Sequence, residues 1–169
     1  EMQKAHDYVV HWSEMKAKSI GLLLWGDVGT GKSFFAGCIA NALLDKGIPV
    51  LMTNFSRILN TLTGMYSDDR NQFIDSFNKY SLLIIDDLGT ELPNSFTVSQ
   101  LFICLNERIL RQKSTIISTN LALEDIKSIY SERTFSRISS NYTILRITGD
   151  DIRIQKKLLN LGGTNDVTP

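Results

Sequence analysis

Short runs in which nearly every residue is apolar alternate along this chain with longer stretches in which apolar residues return every three or four positions. The short runs are Ile20–Trp25, Val50–Asn54, Ser81–Asp86, Thr115–Thr119 and Tyr142–Ile147. Strands with no polar face belong to parallel sheets covered by helices on both sides. Between them the spacing predicts helices over Ser33–Lys46, stopped by Gly47, and over Ser56–Tyr66, Asp68–Tyr80 and Phe96–Lys113. Ser67-Asp68-Asp69 reads as the turn between the second and third of these. A shorter amphipathic helix, Ala5–Trp12, packs through Tyr8, Val9 and Trp12 ahead of the first strand. A charged helix over Asp150–Asn160 and a frayed Gly162–Pro169 follow the last one. This alternation predicts an α/β fold, a parallel five-stranded sheet between helices.

At 169 residues the chain suits one domain, with residues 1–19 as an N-terminal helical linker and 150–169 as a C-terminal tail. Its 43% hydrophobic and 21% charged residues are ordinary for a globular protein and exclude the disordered classes. Lys plus Arg equal Asp plus Glu at 18 each, so no global field draws the chain to nucleic acid, and any DNA contact is a local patch. Cys38 and Cys104 fall in apolar helical patterns and read as buried free thiols. His6 and His11 do not share a helical face, which argues against a metal site there. No run approaches the roughly 18 apolar residues of a membrane span, and the expected location is cytoplasmic. The chain opens on Glu1 rather than Met, which points to an upstream portion carrying a partner-binding domain.

One local pattern carries specific chemistry. Gly26-Asp27-Val28-Gly29-Thr30-Gly31-Lys32-Ser33 matches G-x-x-x-x-G-K-[ST], and it lies between a buried strand and a helix that begins with Ser33 and Phe34. Glycines let successive backbone N–H groups converge on phosphate oxygens at the positive end of that helix. Lys32 adds a charge to the phosphates, and the Ser33 hydroxyl suits Mg²⁺. The expected ligand is ATP with Mg²⁺, held by residues Gly26 to Phe34. Leu82-Leu83-Ile84-Ile85-Asp86-Asp87 supplies acidic partners at the end of a strand read as the neighbour of the first. Asp86 is expected to hold the metal and Asp87 to polarise a water, with Glu91 as a second candidate base. Asn120, closing the fourth strand, offers an amide to the γ-phosphate or the water. Arg133 and Arg137 lie one helical turn apart, and the residues alone favour a solvated pair making salt bridges.

The ordered set Gly26–Ser33, Leu82–Glu91, Thr115–Leu121, Glu132–Ile138 and Ile147–Arg153 resembles the AAA+ ATPases of the DnaC and DnaI helicase-loader family over nearly the whole chain. Ile85-Asp86-Asp87-Leu88-Gly89-Thr90-Glu91, Asn106 with Arg108, and Gly149-Asp150-Asp151-Ile152-Arg153 carry the resemblance most closely. It implies a P-loop AAA+ core, sensor I at Asn120, and at Arg137 an arginine finger for a neighbouring subunit's ATP, with Arg133 second. The partners it implies are a hexameric replicative DNA helicase, single-stranded DNA, and further copies in a ring or spiral. IstB-type transposition helpers share this core and are the alternative; a nucleotide-dependent binding module with little turnover is a third. Two features depart from the wider AAA+ pattern. Asp87 stands where glutamate is usual, which implies slow, assembly-dependent hydrolysis. Thr148–Pro169 is also too short for a full C-terminal lid, and no role is assigned to Arg146 or Arg153.

Overall fold

The computed structural model describes residues 2–149 and 151. Its sheet consists of β1 (Gly21–Trp25), β2 (Val50–Asn54), β3 (Leu82–Leu88), β4 (Ser114–Thr119) and β5 (Tyr142–Arg146), all parallel, in the order β2-β3-β4-β1-β5. The five expected strands are therefore present, but their neighbours differ from the reading above. β4 enters between β1 and β3, so the strand carrying Asp86 is one removed from the strand that feeds the glycine loop. Strand order depends on which crossover buries which face, and the local pattern of a strand does not carry it.

Within the uniformly apolar runs, the pleat divides the residues between two cores. Leu22, Leu24, Leu82, Ile84 and Ile116 face α1 (Met2–Val10), α2 (Trp12–Ala17) and α3 (Lys32–Leu44). Leu23, Leu83, Ile85 and Ile117 face the other side, against α4 (Phe55–Thr63), α5 (Ser67–Ser76), α6 (Ser95–Leu110), α7 (Leu123–Tyr130) and α8 (Glu132–Asn141). The N-terminal segment is part of the first core. Ala5, Tyr8, Val9 and Trp12 are buried, the Tyr8 hydroxyl donates to the Ile20 carbonyl at 3.1 Å, and Lys46 Nζ donates to the Val9 carbonyl at 3.1 Å. The expected single helix over Ala5–Trp12 is broken at His11 into two.

Other boundaries also move. Ser67-Asp68-Asp69 opens α5 instead of separating two helices; its acidic side chains suit the positive helix start, and the break falls at Gly64–Tyr66. The third expected helix ends at Ser76, followed by one 3₁₀ turn, Phe77–Lys79. The side chains of Asn54 and Asn94 accept from the N–H groups of Arg57 and Thr97, each at 2.9 Å, and so cap α4 and α6. Arg108 is 1% exposed and holds the far end of the second core together. Its guanidinium donates to the carbonyls of Phe77 (2.7 Å), Tyr80 (3.2 Å) and Ser114 (2.5 Å) and to Thr115 Oγ1 (3.1 Å). Burial pulls this group down to about 10, which leaves it protonated and fully able to donate at neutral pH.

Cys104 is buried as expected, whereas Cys38 is only half-buried; both are free. Among the described residues no helix is long and apolar enough to cross a membrane, and no cluster of His, Cys, Asp and Glu could hold a metal ion by itself. The expected helix over Asp150–Asn160, the frayed end and Arg153 lie outside the described residues.

Candidate functional site

Three strands end in one row. Thr119 of β4 is the register partner of Trp25 on β1 and of Leu88 on β3. Gly26, Asn120 and Asp87 each adjoin one of these residues, so the glycine loop, the amide and the acidic pair share the C-terminal edge of the sheet. Adjacent strands lie about 4.8 Å apart, so the loop and the acidic pair are separated by the width of β4.

The loop is wound by positive φ at Gly26 (142°), Gly29 (81°) and Gly31 (91°), a region costly for any residue with a side chain. Gly26 also lies against the Ile147 carbonyl at the end of β5, where a Cβ would collide. Lys32, only 5% exposed, turns its ammonium into the loop and donates to the carbonyls of Gly26 (2.8 Å) and Asp27 (2.6 Å). Thr30 Oγ1 donates to the Asp27 carbonyl at 2.9 Å. Helix α3 starts after Gly31 with no side-chain cap, and the bond from the Phe35 N–H to the Gly31 carbonyl (2.8 Å) opens its ladder. The N–H groups ahead of Phe35 stand outside that ladder, at the positive end of a 13-residue helix. Ser33 and Phe34 are exposed on its first turn, and Asp27 and Val28 are exposed on the loop. These features fit phosphate oxygens: a backbone wound on glycine, a lysine ammonium inside it and uncapped N–H groups.

β3 carries a bulge between Ile85 and Leu88, where Asp86 and Asp87 together face Ser118 of β4. On a regular strand two consecutive side chains point to opposite faces; an extra residue re-aims one of them. Asp87 takes the unusual φ of 59° that this requires. Ser118, 1% exposed, ties the bulge together: its hydroxyl donates to Asp86 Oδ1 and accepts from the Asp87 N–H at 2.9 Å. Beside it, Thr119 Oγ1 donates to the Leu88 carbonyl at 2.6 Å and accepts from the Leu121 N–H at 3.1 Å. Asn120 Nδ2 donates to Asp87 Oδ1 at 3.3 Å. Asp86 is half-buried, whereas Asp87 and Asn120 are exposed at the strand edge. With the Ser33 hydroxyl, Asp86 offers the hard oxygen donors that Mg²⁺ takes.

Glu91 is engaged elsewhere. Tyr130, at the end of α7, donates to Glu91 Oε1, and the Gly89 N–H donates to both carboxylate oxygens at 3.3 Å. Burial, then the bond to Glu91, pushes the Tyr130 phenol far up, so it stays a donor throughout the usable pH range. α7 and α8 meet at Ser131, whose φ of 82° is strained for a side chain and whose hydroxyl accepts from the Thr134 N–H at 3.4 Å.

Arg133 and Arg137 project from α8, both exposed. Arg133 stacks on the Phe102 ring at 4.9 Å, and the two arginines line a groove with Phe102, Glu132 and Ser136. Neither makes an ion pair among the described residues, so the salt-bridged pair expected from the residues alone is not formed. Arg146 stacks on Trp25 at 5.1 Å. Asn106 Oδ1 is buried with no hydrogen-bond partner among the described residues.

Sequence reasoning passed over Ser118 as a holder of the acidic pair, because strands often end in Ser or Thr. Tyr130 gave no signal at all, since it meets Glu91 only after α7 packs. The Asp151 carboxylate, which lies where a Cβ at Gly29 would go, was visible only as part of the Gly149–Arg153 pattern.

Residues 10–160 match the family described as IstB-like ATP binding protein. The chain is 24% identical to the replicative helicase loader DnaC of Escherichia coli K12 over 140 residues, 81% of this chain and 56% of that protein. It is 26% identical to the replicative helicase loader DnaI of Bacillus subtilis 168 over 135 residues, 78% of this chain and 43% of that protein. The chain thus spans about half the length of the curated relatives it matches. A crystal structure of the DnaC helicase loader superposes with a TM-score of 0.76 at 24% identity, covering 86% of this chain and 87% of that one. The fold is accordingly the P-loop AAA+ core, and the match over residues 10–160 makes the chain a member of the IstB-like ATP-binding family.

Proposed function

We propose that the chain is an ATP-dependent loader of a replicative DNA helicase, which binds ATP with Mg²⁺ at the row of strand ends and hydrolyses it slowly within an assembly of copies. The observation that carries the nucleotide half is the shared register of Trp25, Thr119 and Leu88, which gathers the glycine loop, Asn120 and the acidic pair at one edge. The loading half rests on the likeness to DnaC and DnaI over about four fifths of the chain.

In this reading the backbone from Gly26 to Phe34 and the Lys32 ammonium hold the phosphates, with phosphate oxygens replacing the loop carbonyls that Lys32 now contacts. Ser33 and Asp86 hold Mg²⁺, which when bound draws negative charge off the phosphate oxygens. Asp87 accepts the proton of the attacking water, and Asn120, already bonded to Asp87, orients carboxylate and water together. Arg137, with Arg133 behind it, serves the γ-phosphate held by the next copy, so hydrolysis belongs to the ring or spiral. Repetition of one surface along that assembly gives a neutral chain enough phosphate contacts to hold single-stranded DNA.

The family description favours one other reading, a transposition helper with the same site and a different partner. Affinity capture from the source cell with the intact protein separates the two. Recovery of a hexameric helicase, released when ATP is hydrolysed, is the expected result; recovery of a transposase in its place would overturn loading and leave the nucleotide chemistry standing. Steady ATP turnover by the captured assembly is expected as well, and its absence would reduce the chain to a nucleotide-dependent binding module.

A further inference from the structure

The geometry points to Ser118 as the positioning residue that makes the Mg²⁺ side of the site, by orienting Asp86 and fixing the bulge at Asp87 with one hydroxyl. This rests on the ATP-Mg²⁺ reading above and goes beyond it, since that reading gives no part to Ser118. A hydroxyl has one proton to give and two lone pairs to accept with. Ser118 gives its proton to Asp86 Oδ1 and takes the Asp87 N–H. One hydroxyl thus donates to the Asp86 side chain while it holds the backbone of Asp87 at its positive φ of 59°.

Two further observations make this more than a strand contact. Ser118 is 1% exposed, so water does not take over the role of the hydroxyl. No second hydrogen bond or ion pair to the Asp86 carboxylate forms among the described residues, so among them only the Ser118 hydroxyl directs its oxygens. Asp87 is also held by Asn120. Loss of the hydroxyl therefore falls first on the metal ligand and only second on the water-polarising group. Thr119, next along β4, provides the contrast: among the described residues its hydroxyl bonds only backbone, at Leu88 and Leu121.

The test uses Ser118→Ala, Ser118→Thr and Thr119→Val in the full chain, each titrated with ATP in Mg²⁺ and in EDTA and followed by thermal melting. Wild type binds more tightly with Mg²⁺ than in EDTA. Ser118→Ala is expected to keep the EDTA affinity and lose about tenfold of the Mg²⁺-dependent gain, the scale of one hydrogen bond to a charged group. Its turnover falls with the metal requirement, so that raised Mg²⁺ restores part of it. Ser118→Thr keeps the hydroxyl and recovers the gain. Thr119→Val lowers the melting temperature without changing the ratio of the two affinities. The inference is overturned if Ser118→Ala keeps the Mg²⁺ gain within about twofold, if its EDTA affinity falls as far as its Mg²⁺ affinity, or if Thr119→Val loses the gain equally, each of which reduces Ser118 to a structural contact. Wild-type protein whose ATP affinity ignores Mg²⁺ would instead overturn the ATP-Mg²⁺ reading, and this inference with it.

Discussion

Tyr130 donates its hydroxyl proton to the Glu91 carboxylate, joining the loop after β3 to the last residue of α7. Glu91 thus has a buried donor and the Gly89 N–H for company, whereas Asp87 keeps an exposed carboxylate beside Asn120. The two candidate bases are expected to separate on mutation. Asp87→Asn should melt like wild type and lose turnover by about 10²-fold or more, the scale of a general base. Glu91→Gln and Tyr130→Phe should behave alike, losing about 1–2 kcal/mol of stability and little turnover. Urea melts and ATPase rates of the assembled protein check this, and turnover abolished in Glu91→Gln with Asp87→Asn active would reverse the assignment.

Lys32→Ala should abolish binding of ATP and ADP. The lysine is buried and tied to two carbonyls of its own loop, so a small stability cost is expected as well, a few degrees in melting temperature. Nucleotide titration and calorimetry of both proteins provide the comparison. Unchanged affinity in the variant would sink the phosphate-cradle argument.

Arg137→Ala is expected to bind ATP and fail to turn it over, by about 10³-fold or more where an arginine finger is removed. Mixed with Lys32→Ala it should regain some activity, because mixed interfaces pair a working loop with a working arginine. Rates measured across mixing ratios at concentrations where mixed assemblies form decide it. No recovery there, or full activity in Arg137→Ala alone, would return this side chain to a solvated surface role.

Arg108→Leu should cost about 3 kcal/mol or more, because it removes the buried guanidinium's bonds to the carbonyls of Phe77, Tyr80 and Ser114 and to Thr115 Oγ1. Arg108→Lys should recover little of this, since an ammonium does not reproduce the spread of a planar fork. Denaturant midpoints measure both, and a mild Arg108→Leu would mean that water replaces the guanidinium.

Cys104 is fully buried, and burial pushes its thiol up to about 12, so maleimide should leave it unlabelled in the native protein. Half-buried Cys38 should label slowly, and both should label at once in denaturant. Mass spectrometry of timed samples reads this directly. Native labelling of Cys104 faster than global opening would show that α6 separates from the sheet.

Much of this was legible in the residues because it is set over short distances. A run such as Leu82–Ile85 is apolar at every position wherever its strand lies in the sheet, and Gly26–Ser33 carries its phosphate chemistry in its own backbone and one side chain. Asn120 and Asp86 were visible too, as polar residues at the ends of apolar runs. What was not legible depends on partners far along the chain. Nothing near Leu82 says that β4 will lie between β3 and β1, because that order is settled by which faces the crossovers bury. The bulge forms where Asp86 and Asp87 meet Ser118, Glu91 meets its phenol donor only when α7 brings Tyr130 to it, and Arg108 becomes a core residue only where the carbonyls of Phe77, Tyr80 and Ser114 converge. The residues alone set the strands, the loop and the chemical groups; the packing of β4 against β3 and of α7 against the β3 loop decided which groups face one another, since a hydrogen bond between residues 31 to 39 positions apart is chosen by burial and register, not by spacing.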